Sequence, residues 1–228
     1  MKLHYIHDPM CGWCYGAAPL VAVARELLPV EPHGGGMMAG PNRRPVTPEL
    51  RAYVTPHDQR IAQSSGQRFG ERYRDVLLRD TQAVLDSEPP ITAMLAADEM
   101  AGRGLDMLAR IQHAHYVEGL RVADPQVLAG LAAELGMDRQ AFEAAYARAS
   151  GPRTQAHIAE SRALLARVGG SGFPTMALED GGRLEQIDVS AFLGRPQQWR
   201  EWLNERLAEG QARAGAAGDG PSCSIDGC

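Results

Sequence analysis

The chain opens on a short extended run, residues 3–8, and then changes period. Ala17, Leu20, Val21, Ala24, Leu27 and Leu28 fall at i, i+3, i+4, i+7, i+10 and i+11, the spacing of one apolar helical face. A second strand is predicted near residues 30–33, and Gly34-Gly35-Gly36 marks a turn after it. Residues 40–45 read as loop, and residues 47–169 read almost entirely as helix. Pro89-Pro90 opens one helix. Asp124 caps another, with Pro125 at its first position and Gly136 past its end. Asp138 caps the next, whose inner side carries Phe142 and Tyr146. After Gly151-Pro152, the residues Ile158, Ser161, Leu165 and Val168 repeat at helical spacing until Gly169-Gly170. The period then shortens. Residues 175–178 and 183–187 flank Asp180-Gly181-Gly182, a hairpin signal. A last helix starts near Pro196 with Trp199, Trp202 and Leu203, and from Gly210 the composition predicts a flexible tail.

This order is βαβ, a helical block, then helix, hairpin and helix. It predicts an α/β fold with a four-stranded sheet covered by helices. The expected units are residues 1–46, a mainly helical insertion at 47–153, residues 154–209 completing the sheet, and a tail at 210–228.

Cys11-Gly12-Trp13-Cys14 lies where the first strand gives way to the first helix. A helix N-terminus carries unpaired N–H groups and partial positive charge, which favours a thiolate, the reactive form of cysteine. Cys14 is one turn further on. The spacing and its strand-to-helix setting point to a dithiol/disulfide redox centre, with Cys11 as nucleophile and Cys14 as resolving thiol. Trp13 is placed to cover the pair or to offer an apolar platform to a substrate. A second pair, Cys223 and Cys228, stands on the glycine-rich tail. The tether of residues 208–222 spans on the order of 20 Å as a coil, so exchange with Cys11 is a candidate role for it. Four cysteines in two local pairs do not make a disulfide scaffold.

Composition narrows the function classes. The 228 residues carry a net charge of -5 and no basic stripe, which argues against nucleic acid as a partner. No segment approaches the ~18 apolar residues that cross a bilayer. The N-terminus does not read as a signal peptide, because His4, His7 and Asp8 interrupt it, and a cytoplasmic location is expected. The histidines, His4, His7, His33, His57, His113, His115 and His157, show no metal-ligand spacing, and no metal site or cofactor is expected. Met37 and Met38 read as core filling.

Residues 8–16, Asp-Pro-Met-Cys-Gly-Trp-Cys-Tyr-Gly, together with Ser171-Gly172-Phe173-Pro174-Thr175, resemble the DsbA family of thioredoxin-like oxidoreductases. Within it they most resemble the cytosolic branch of FrnE-type disulfide isomerases. The resemblance spans residues 3–207 and implies a thioredoxin fold with a helical insertion. It further implies that Cys11 and Cys14 are the redox pair, that Pro174 is a cis-proline facing them, and that Phe173 offers its backbone to an extended substrate. The expected partners are protein or small-molecule thiols and disulfides, glutathione among them. One departure stands out: many FrnE-like sequences have proline after the first cysteine, where this chain has Gly12. Two other readings share these residues. Glutathione-dependent isomerases and kappa-type glutathione transferases resemble the same fold but typically lack the full cysteine pair. A zinc protein would instead use all four cysteines.

Overall fold

A computed structural model describes residues 1–218. β1 (Lys2–His7) is one of two inner strands of a four-stranded sheet. It pairs in parallel with β2 (Val30–Gly34) and antiparallel with β5 (Thr175–Asp180), which in turn pairs with β6 (Arg183–Ile187), so the sheet order is β2-β1-β5-β6. The hairpin between β5 and β6 turns on Gly181 and Gly182, both at positive φ (57° and 84°), which side-chain-bearing residues adopt only with strain.

Successive side chains of β1 point to opposite faces. Tyr5 meets α2 (Ala18–Leu27) and α6 (Gly104–Tyr116), against Val21 and Leu108. His4, with His33 of β2, meets α9 (Pro152–Arg167) at His157 and Leu164. On the α2 side α10 (Pro196–Gly218) closes the layer: Trp199 is fully buried, and its Nε1 donates to the Leu20 carbonyl at 2.9 Å. The large indole thus enters the core without leaving a donor unpaired.

Between β2 and β5 the chain is mostly helical. α3 (Pro48–Ser65), α4 (Glu71–Asp75), α5 (Glu88–Ala101), α7 (Pro125–Glu134) and α8 (Arg139–Ala149) join α6 and α9 there. The N-terminal caps form as their side chains dictate. Thr47 accepts from Leu50 N, Asp124 from Gln126 N, and Asp138 from Ala141 N, each meeting a donor that the first helical turn leaves free.

The structure departs from the sequence pattern in three places. The first helix is two: α1 (Gly12–Gly16) ends at Ala17 before α2 begins. Pro19 has no N–H for the Tyr15 carbonyl, and the Gln67 side chain takes it instead at 3.0 Å. The supposed loop contains β3 (Arg44–Pro45), which forms a short ladder with β4 (Val84–Leu85). Residues 210–218 are helix rather than coil, as α10 runs on to Gly218. Its alanines favour the helix, and Arg213 pairs with Asp180 at 2.7 Å. Among the described residues no helix is long and apolar enough to cross a membrane.

Candidate functional site

β1 ends at His7, and the chain turns through Asp8 and Met10 to set Cys11 as the N-cap of α1. Cys11 and Cys14 are both free thiols. Cys14 is completely buried, while Cys11 keeps 6% of its surface. The Asp8 N–H points at Cys14 Sγ (3.4 Å), and the Tyr5 hydroxyl holds the Cys14 carbonyl (3.2 Å). Burial pushes the Cys14 thiol well above its ordinary value, and its hydrogen bond with Cys11 adds to the rise.

The Cys11 thiol donates to the Phe173 carbonyl at 3.3 Å. The Phe173–Pro174 peptide is cis. Phe173 is seated on the glycine turn after β2: a Cβ on Gly35 would fall 2.2 Å from the Phe173 ring, so only glycine fits there. Arg162 of α9 fixes this turn by donating to the Gly35 and Gly36 carbonyls at 2.8 and 2.6 Å.

Asp8 ties the same turn to the redox loop. Its carboxylate is fully buried and accepts from Met10 N (2.9 Å), Ser87 Oγ (2.9 Å) and Met37 N (2.6 Å). Burial raises its pKa, and these three donors oppose the rise by favouring the charged form. His7 beside it is buried, stacks on Tyr5, and is held neutral, its pKa lowered to about 3 chiefly by burial.

α3 packs over the other side of the redox loop. Ile61 and Asp58 lie against Gly12, where a Cβ would come within 2.8 Å of Ile61 Cδ1. The Tyr73 hydroxyl donates to Asp58 Oδ2 at 3.1 Å. Burial lifts Asp58 to about 7, and the Tyr73 bond works against that lift. Tyr15, Phe69, Tyr73 and Tyr116 form an aromatic cluster beneath, with Tyr15 and Tyr116 stacked at 4.8 Å.

Trp13, Phe173 and Pro174 share one cleft of about 590 Å³ with Ile187, Val189 and Leu193. Sequence reasoning missed Asp8, Asp58 and Arg162, because each acts through partners distant in the chain. The Asp8 position before the cysteine pair was visible; its three donors were not. His113 is exposed and bonds Glu118, whereas His115 is buried. Along the sequence the histidines show no ligand spacing, yet strand pairing brings His4, Glu31 and His33 to one place, with ligand atoms within 4.8 Å of one another. Cys223 and Cys228 lie outside the described residues.

A dithiol with one sulfur reachable and one sealed, opposed by a backbone carbonyl at a cleft, supports exchange of thiols for disulfides. The fold that carries it makes the protein a thioredoxin-type thiol–disulfide oxidoreductase. The chain belongs to the DsbA-like thioredoxin domain family, whose model matches residues 5–196. It is similar to the cytosolic disulfide reductase DsbM from Pseudomonas aeruginosa, at 53% identity over 91% of this chain and 99% of that one, with a TM-score of 0.86. A structure of that reductase with GSH matches at 52% identity over 91% of this chain and 100% of that one, with a TM-score of 0.85. A 2-hydroxychromene-2-carboxylate isomerase, at 17% identity over 92% of this chain and 98% of that one and a TM-score of 0.56, shares the fold alone. Comparison with curated protein sequences gives no match.

Proposed function

We propose that the protein is a cytoplasmic disulfide reductase that works from Cys11 and takes its electrons from glutathione. The observation that carries this reading is the Cys11 thiol set against the carbonyl of Phe173, a residue that lines the cleft, with Cys14 fully buried.

The Cys11 thiolate attacks one sulfur of a substrate disulfide, and the other sulfur leaves as thiolate. Cys14 then attacks Cys11 Sγ, releasing the second substrate thiol and closing the Cys11–Cys14 disulfide. Two glutathione thiols return the pair to the dithiol and become one glutathione disulfide. Ionisation of Cys11 removes the proton that it donates to Phe173 and frees that carbonyl. The Phe173 backbone is then open to the N–H of an extended substrate. Trp13 and Pro174 with Ile187, Val189 and Leu193 supply apolar walls.

Strong oxidants of this class stabilise their reduced form. Here His7 is held neutral and adds no positive charge to stabilise a thiolate, and burial keeps Cys14 a neutral thiol. The 53% identity to a cytosolic disulfide reductase, and the GSH bound to that relative, support the direction, the location and the electron donor.

A Cys14→Ser chain mixed with glutathione disulfide should accumulate a glutathione adduct on Cys11, seen by mass spectrometry. A Cys11→Ser chain should give none. An adduct on Cys14 alone, or no adduct in either chain, would sink this reading. The Cys223/Cys228 pair is proposed as a secondary redox pair on sequence grounds. A chain ending at residue 222 that keeps full turnover would remove that role.

A further inference from the structure

We propose that His4, His33 and Glu31 form a binding site for a divalent metal ion of the zinc class, on the sheet face beneath α9.

β1 and β2 run in parallel with His4 opposite Glu31 and Ile6 opposite His33. Residues two apart on a strand share a face, so His4, Glu31 and His33 converge on the same side. His4 Nδ1 stands 2.9 Å from His33 Nε2, and His33 Nε2 stands 3.8 Å from Glu31 Oε1. Zinc binds imidazole nitrogen and carboxylate oxygen at about 2.0–2.2 Å, which places tetrahedral ligands about 3.3 Å apart. The two observed separations bracket that value. All three ligand atoms lie within 4.8 Å of one another, so side-chain adjustment without movement of the strands draws them around an ion.

The surroundings are those of a ligand set rather than of a surface ion pair. His4 is buried, and its far nitrogen, Nε2, is held at 2.8 Å by Glu179 of β5. In the neutral imidazole that bond places the proton on Nε2 and turns the Nδ1 lone pair towards His33. A carboxylate behind a histidine is the arrangement that orients metal-bound imidazoles. His33 Nε2 then carries the hydrogen between the two rings. A metal ion takes its place when the neutral His33 ring shifts that proton to Nδ1, so no net proton is lost at His33. Glu31 offers Oε1, while Lys2 occupies its Oε2 at 2.6 Å. A cleft of about 430 Å³, lined also by Glu160 and Arg167, leaves room for water at the fourth position. His157 is not a ligand, because its Nε2 already accepts the Gly34 N–H at 2.9 Å. Two imidazoles and one carboxylate with an open position suit Zn²⁺ and its neighbours Co²⁺ and Ni²⁺ better than Mg²⁺ or Ca²⁺.

The test titrates Co²⁺ into the tag-free full chain with Cys11, Cys14, Cys223 and Cys228 replaced by serine, and into the reduced parent chain in parallel. Circular dichroism confirms that each folds. The expected result is one equivalent of Co²⁺ with visible d–d bands and no thiolate charge-transfer band in the serine chain, displaced by Zn²⁺. Glu179→Gln should weaken binding about 10- to 100-fold, and His33→Ala should abolish it. The thermal midpoint should rise with Zn²⁺ in the serine chain and not in its His33→Ala form. Binding only in the parent chain, with thiolate charge transfer, would assign the metal to the cysteines and overturn the proposal. Unchanged binding in His33→Ala would overturn it equally.

Discussion

Ile61 Cδ1 occupies the space that a side chain at Gly12 would need, 2.8 Å from the ideal Cβ position. This contact accounts for the residue between the cysteines. A proline ring after Cys11, common in the related sequences, would meet α3. Gly12→Ala should therefore destabilise the fold by about 1–3 kcal/mol, as overpacked cores do, measured by denaturant unfolding. Adding Ile61→Val removes only Cδ1 and should recover most of that loss. If the double variant is no better than Gly12→Ala alone, the contact is not the constraint.

Asp58 makes stability depend on pH. Its folded value, about 7, lies above its ordinary 3.8, so the folded chain holds the proton more tightly. Its contribution is fully present below about pH 4 and is lost as pH rises to about 7. Asp58→Asn can still accept from Tyr73. Relative to the parent, it should gain about 1–3 kcal/mol between pH 4 and pH 8, read from urea midpoints. A parallel pH profile in the two chains would contradict the shift.

Asp8 should tune the redox pair. Its carboxylate disfavours a charged Cys14, so in a Cys11→Ser chain Asp8→Asn should bring Cys14 alkylation to its half-maximal rate at a lower pH. The variant leaves one of the three N–H or O–H donors without its acceptor, which should also cost about 1–3 kcal/mol of stability. An alkylation profile that is unmoved or shifted to higher pH would show that Asp8 acts only on structure.

The two thiols should react unequally. Cys14 is sealed and raised, whereas Cys11 keeps a little exposed surface beside Phe173. At neutral pH iodoacetamide should modify Cys11 in Cys14→Ser at least about tenfold faster than Cys14 in Cys11→Ser. Mass spectrometry of timed samples gives both rates, and equal rates would refute the assignment of roles.

Local features were legible because local physics sets them. The caps at Asp124 and Asp138, the Gly181-Gly182 hairpin and the cysteine pair at the end of a strand all depend on residues within one turn of each other. What escaped depends on partners far along the chain. The break at Ala17 was signalled by Pro19, but Gln67 is what satisfies the freed carbonyl. The β3–β4 ladder pairs segments too short to show a period. Asp8 gains its role from Met37 and Ser87, and Asp58 from the seating of α3 on Gly12. The His4–Glu31–His33 cluster exists only once β1 and β2 are in register.

The equilibrium of Cys11/Cys14 with a glutathione buffer tests the central claim most directly. The fraction oxidised is read by thiol labelling across a series of ratios of reduced to oxidised glutathione. A reductase fed by glutathione should show a potential close to the glutathione poise, about -220 to -260 mV, and should pass from disulfide to dithiol within the range of ratios tested. A potential near about -120 mV, the range of a strong thiol oxidant, would contradict a reductase and reverse the proposed direction of electron flow.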